Sequence, residues 1–253
     1  MSSPMLTFLE TLLFSAVMGL SIYLSLPLLL NSRTGESKTK LLVAVAIGIL
    51  VFLIGDVFLN AAGSLYNGSL YGYGSSPSYD AIFTTSMIAG FLVLFLAGDR
   101  RRLSMTPTYL VLIIAIGIGF QNLTEGLLFG SLGVTIGLSG AALVVLVGFI
   151  FQNITEGFPI ASPFLGSTEG NIGVISGALL IGGLPTILGG AIGYYYNTPV
   201  FDLIFYGLAI GTMFYVILPM LRNLFRESDA TKVRVAYIGL FLGFLLGFAV
   251  NLV

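Results

Sequence analysis

The chain has 253 residues, of which 57% are hydrophobic and only 8% charged, with a formal net charge of −1. A soluble globular protein carries about a quarter of its residues as charges, so this composition excludes a water-coated core and points to a bilayer. The absence of Cys and His excludes disulfides, thiolate metal sites, thiol nucleophiles and every histidine base. The near-zero net charge leaves no footprint for nucleic acid.

Apolar stretches run, in chain order, over residues 6–30, 41–61, 81–98, 108–129, 138–162, 171–194, 201–221 and 235–253. Each is about long enough to cross a hydrocarbon core at ~1.5 Å per residue. The expected fold class is an all-α polytopic membrane protein with eight transmembrane helices in a single domain spanning 1–253. The first stretch opens without a basic segment and is too long for a signal-peptide core, so it is expected to be a retained helix. The sixth is unusual, with Gly182, Gly183, Gly189 and Gly190 around Pro185.

The basic residues fall in three clusters: Arg33, Lys38 and Lys40; Arg100, Arg101 and Arg102; Arg222, Arg226, Lys232 and Arg234. These lie between spans 1 and 2, 3 and 4, and 7 and 8, which share one side if eight helices cross. The excess of Lys and Arg on cytoplasmic loops then predicts a multi-pass protein of the cell membrane with both termini outside. The run Asp99–Arg102 reads as a topology signal. The Gly-, Ser- and Tyr-rich stretch 63–79 reads as an external surface loop with interfacial tyrosines.

Internal repetition carries the chemistry. Span 4 contains Phe120-Gln121-Asn122-Leu123-Thr124-Glu125-Gly126, and span 5 contains Phe151-Gln152-Asn153-Ile154-Thr155-Glu156-Gly157. The copies differ only by Leu for Ile and sit on consecutive, antiparallel helices, an inverted arrangement that commonly builds a midplane site. Gln121, Asn122 and Glu125 share one helical face, and Gln152, Asn153 and Glu156 repeat it. Facing each other, the six side chains form an oxygen-rich pocket suited to a divalent cation. Gly126 and Gly157 are expected to let the two helices approach closely.

No Lys or Arg occurs between Arg102 and Arg222, so neither glutamate has a basic partner nearby in sequence. An ionised acid at mid-bilayer costs about 2.5–3.5 kcal/mol on insertion scales. Two adjacent carboxylates also repel, so the pair should hold a proton or a cation. A protonated, hydrogen-bonded pair that locks two helices is the alternative. Pro159 is expected to free the carbonyl of Thr155, and Pro163 that of Pro159, beside the site. Asp56 and Asn60, one turn apart in span 2, are a further ligand pair, a station in the pathway or a helix-packing hydrogen bond. Asp202 and Glu10 read as interfacial, and Glu169 as a residue of a cytoplasmic turn.

At the two motifs the chain resembles the ZIP family of metal-ion transporters, whose members carry His-Asn-x-x-Glu-Gly in the fourth helix and His-x-x-x-Glu-Gly in the fifth. The continuation Phe158-Pro159-Ile160-Ala161-Ser162-Pro163 is similar to prokaryotic members, and Gly211–Val216 resembles the seventh helix. The resemblance implies a 3+2+3 bundle, commonly a homodimer, that moves a divalent metal ion of the zinc, iron or manganese class into the cytoplasm. The ion would be held by Gln121, Asn122, Glu125, Gln152, Asn153 and Glu156. It is the transported substrate, and no catalytic cofactor is implied. Gln stands in place of the family's histidine in both motifs, and Thr186 or a neighbour in place of a sixth-helix glutamate. Leu218-Pro219-Met220 lacks the acids often found in the seventh helix.

Amide oxygen for imidazole makes the site harder, which weakens Zn²⁺ relative to Mn²⁺, Fe²⁺ or Mg²⁺. No phosphate-binding Gly-x-x-x-x-Gly-Lys-Ser/Thr motif is present, so transport would draw on gradients or a partner. Two other functions fit the same residues: a metal sensor or membrane-assembly protein that does not transport, and a proton- or monovalent-cation-coupled carrier. Enzymatic chemistry is not expected.

Overall fold

The fold is that of a computed structural model in which residues 5–27, 36–66, 76–100, 106–138, 140–165, 171–196, 198–226 and 230–250 are described. They form α1 (Phe8–Leu20), α2 (Glu36–Leu65), α3 (Pro77–Arg100), α4 (Pro107–Ile136), α5 (Gly140–Ala161), α6 (Ile172–Tyr195), α7 (Pro199–Leu224) and α8 (Ala230–Val250). Short 3₁₀ turns extend α1 through Ser21–Ser25 and α5 through Ser162–Phe164. Counting those turns, eight helices are long and apolar enough to cross a membrane, and no strand occurs among the described residues. Arg33, Arg101, Arg102, Glu169 and residues 67–75 of the Tyr-rich stretch lie outside the described residues.

Local chemistry sets the helix starts. Thr7 and Glu10 form a reciprocal capping box on α1, with Thr7 N–H donating to Glu10 Oε2 at 2.8 Å. Thr106 and Thr198 cap α4 and α7, and each is followed by a proline whose missing N–H is not needed there. Asn171 caps α6 by accepting from Gly173 N at 2.8 Å. After Leu20 the single long first helix expected from sequence tightens instead. There the hydroxyl of Ser25 bonds the carbonyl of Ile22 at 2.7 Å, three residues back.

Small residues set the packing. On α6, Gly189 and Gly193 seat against the backbone of Leu123 and Leu127 in α4, while Gly126 and Gly130 of α4 seat against Thr186 and Gly190 of α6. The contacts advance in the same sense along both chains, so α4 and α6 run parallel. By the same criterion α2 runs parallel to α8, with Gly239 and Gly243 against Leu41 and Val45, and α3 to α7 through Gly207 and Gly211. Gly19 against Gly183 makes α1 antiparallel to α6. These directions are the ones that eight successive crossings require. Such close backbone approach is how helices associate where lipid removes the hydrophobic drive between them.

Two groups of helices result. Helices α1, α4, α5 and α6 pack together, α2, α3, α7 and α8 pack together, and α4 against α7 forms the main seam. Helix α4 is the most enclosed, with 78% of its apolar span buried against 17% for α3 and 22% for α8. Helix α5 keeps an exposed side at Leu143, Val144 and Phe151.

The Gly193 contact yields a direct test. Gly193→Ala drives a methyl into the Leu127 backbone and is expected to cost about 1–3 kcal/mol. Gly177→Ala, where nothing lies within 4 Å, is expected to be neutral or stabilising by up to about 1 kcal/mol. Thermal midpoints of the two variants in detergent check the pair.

Candidate metal site

The repeat places its polar faces together between α4 and α5. All six side chains are buried: Asn122, Asn153 and Glu156 fully, Gln121 to 2% exposure, and Glu125 and Gln152 to 6%. Gln121 Nε2 donates to Glu156 Oε1 at 3.1 Å and to Glu125 Oε1 at 3.3 Å, so one amide nitrogen bridges the two carboxylates. Asn153 Nδ2 donates to Glu125 Oε2 at 3.2 Å and to the Phe149 carbonyl at 3.0 Å. Asn122 Nδ2 donates to Asn153 Oδ1 and to the Gly182 carbonyl of α6, both at 3.0 Å. Gln152 lies one turn before Glu156, against its carboxylate.

The amides therefore do what a lysine or arginine does elsewhere. They direct N–H dipoles at both carboxylates where no cation is available in sequence. Three buried oxygens in the cluster have no hydrogen-bond partner: Gln121 Oε1, Asn122 Oδ1 and Glu156 Oε2. An unsatisfied buried acceptor costs roughly 1–3 kcal/mol, so three in one cluster mark a site built to receive a donor or a cation. Among the described residues no three Asp, Glu, His or Cys side chains gather at metal-ligand spacing. The cluster thus offers two carboxylates and amide oxygens, all of them hard oxygen donors.

The threonines of the repeat face their own backbones. Thr124 Oγ1 donates to the Gln121 carbonyl at 2.6 Å, and Thr155 Oγ1 to the Gln152 carbonyl at 2.7 Å. The motif glycines do not draw α4 onto α5 as expected. Gly126 admits Thr186 and Gly190 of α6, and Gly157 admits Ile22 and Ser25 of the turn after α1. Each glutamate is thereby backed by a different third element. The carbonyl of Pro159, expected to be free, accepts from Ser162 Oγ at 2.8 Å. Thr186 is fully buried with its hydroxyl unpartnered, beside Gly19 of α1. The backbone oxygen that α6 brings to the cluster is instead that of Gly182, which no side-chain pattern signals.

A cavity of about 230 Å³ opens beside the cluster, lined by Asp56, Val57 and Asn60 of α2, Gln121, Thr124, Glu125 and Leu128 of α4, Val145 and Phe149 of α5, and Tyr206 of α7. It lies on the seam between the two helix groups, nearer the end where α2 finishes and α5 and α7 begin. Towards the opposite end the cluster is sealed by apolar side chains. Ile118 lies one turn before Asn122 and Ile160 one turn after Glu156; both are fully buried, and they converge with Ile22 at Gly182. Of the two residues read from span 2, Asp56 is buried to 8% exposure and accepts from Asn60 Nδ2 at 3.3 Å. That bond runs within α2 and joins no second helix, and both residues stand at the cavity wall. Tyr206 gave no sequence signal, being one aromatic residue within an apolar span.

Compared with models of known protein families, the chain matches none, and no curated protein matches it. The site stands on its own residues.

Removing the amide that serves both Glu125 and Phe149 tests the network. Asn153→Ala is expected to lower stability by about 1–3 kcal/mol, the cost of leaving buried acceptors unpaired. Asn122→Ala in the same background should add less than it does alone, because the two share a bond. A double-mutant cycle of thermal midpoints measures both.

Proposed function

We propose that the chain is a transporter that carries a divalent metal cation across the membrane, with Glu125 and Glu156 as its principal ligands. Asn122, Asn153, Gln121 and Gln152 complete the oxygen shell. The observation that carries this reading is a buried carboxylate pair bridged by one amide, with three unpartnered oxygens in the cluster and no Lys or Arg in sequence between Arg102 and Arg222. An open cavity with acidic and amide side chains in its wall on one side and an apolar seal on the other are what a carrier needs when its site faces one side at a time.

The two motif copies support a ZIP-like protein in a harder version, with a 3+2+3 bundle built on an inverted repeat and a homodimeric state. The basic loops would lie in the cytoplasm of a cell-membrane protein with both termini outside, so the cavity faces outward and the cargo moves in. The all-oxygen shell favours Mn²⁺, Fe²⁺ or Mg²⁺ over Zn²⁺ relative to a histidine-bearing site. The chain itself acts as a carrier and performs no catalysis.

Uptake into proteoliposomes decides between this function and its competitors. Wild-type protein is expected to take up Mn²⁺, with Zn²⁺ lower in rank, and Glu125→Gln/Glu156→Gln to fall to the level of protein-free vesicles. Metal binding without uptake of any divalent ion would contradict transport and favour the sensor or assembly role. Uptake of a monovalent ion indifferent to micromolar Mn²⁺ would favour the monovalent carrier.

A further inference from the structure

The wall of the cavity holds an acid that the inner site does not use. Asp56 sits in the second half of α2, buried to 8% exposure. Placing a carboxylate at that depth is costly, and membrane proteins retain such groups where they serve an ion path. Asn60 orients it, with Nδ2 donating to Asp56 Oδ2 at 3.3 Å, and both side chains line the cavity.

The cavity brings these α2 groups into one space with Thr124, Tyr206, Gln121 and Glu125. Gln121 belongs to both sites. Its nitrogen bridges the two inner carboxylates, while its carbonyl oxygen, on a side chain only 2% exposed, has no partner. Gln121 thus stands between the cavity and the inner cluster. Asp56 does not join Glu125 and Glu156 in a three-carboxylate cluster, so it acts at a separate position. About 230 Å³ has room for an ion that keeps several of its waters.

Resting on the transport reading above, we infer that Asp56 and Asn60 form an outer station that captures a partly hydrated divalent cation and delivers it past Gln121 to Glu125 and Glu156. One carboxylate, one amide oxygen and neighbouring hydroxyls hold such an ion weakly, largely through its waters, as hard cations are held when dehydration is incomplete. Weak capture raises the local concentration at the mouth of the inner site without trapping the ion. The inner pair, with two carboxylates, supplies the attraction that strips the remaining waters. The two steps divide the work of dehydration along a path lined on its other side by Val57, Leu128, Val145 and Phe149.

Mn²⁺ is the probe. Asp56→Asn is expected to raise the apparent KM for Mn²⁺ uptake several-fold with the maximal rate nearly unchanged, and Asp56→Glu to restore it. Titration of purified protein by Mn²⁺ electron paramagnetic resonance gives a readout independent of transport. Glu125→Gln/Glu156→Gln is expected to keep one weak, hydrated Mn²⁺ site that disappears when Asp56→Asn is added. A double variant that binds no Mn²⁺, or an Asp56→Asn protein with wild-type KM, overturns the outer station while leaving the inner site intact. Wild-type protein that neither binds nor carries Mn²⁺ overturns both.

Discussion

Two carboxylates held together in an apolar bundle, on helices that carry no lysine or arginine in sequence between Arg102 and Arg222, are the constraint to which the rest of this protein answers. Charge of that kind is tolerated at such depth only if dipoles or a cation surround it. Here the dipoles come from three amides, and the bridging position of Gln121 Nε2 is decisive because it touches both glutamates at once. A histidine there could be protonated and carry a charge of its own. A glutamine cannot, so the pair depends on a bound cation or on protons for neutrality.

The glycine-rich contacts follow from the same need. A polar cluster between two helices must be backed by further helices close enough to exclude lipid. Gly126 seats α6 behind Glu125, and Gly157 seats the Ser21–Ser25 turn behind Glu156. The close fit of α6 also brings the Gly182 carbonyl within 3.0 Å of Asn122, so backbone oxygen enters the network at a point where α6 has no polar side chain to offer. Across the seam, α2 and α7 complete the cavity with Asp56, Asn60 and Tyr206. The site is therefore enclosed by one helix group and opened by the boundary with the other.

Much of this was legible in the residues. Eight apolar windows gave eight helices, because hydrophobic length is a strong signal in a chain with so few charges. Helical spacing put Gln121, Asn122 and Glu125 on one face, and the repeat put Gln152, Asn153 and Glu156 opposite. What could not be read was the identity of the third partners. Gly126 and Gly157 announce close approach, but nothing local says to which neighbour, and the answer proved to be α6 and the turn after α1. The interruption at Ser21 and the capture of the Pro159 carbonyl by Ser162 arise from hydroxyls bonding back along the chain, a local competition that hydropathy does not register. The cavity wall required α2 and α7 to meet α4, and long-range packing of that kind has no signature in any one segment.

The central claim is that Glu125 and Glu156 share one divalent cation. Crystals of the protein equilibrated with Mn²⁺ and measured at the manganese absorption edge test it most directly. The account predicts an anomalous peak between the two carboxylates, within coordinating distance of both and of amide oxygen from the same motifs. Anomalous peaks confined to surface acids, with the two glutamates still bridged by Gln121 alone, would contradict it.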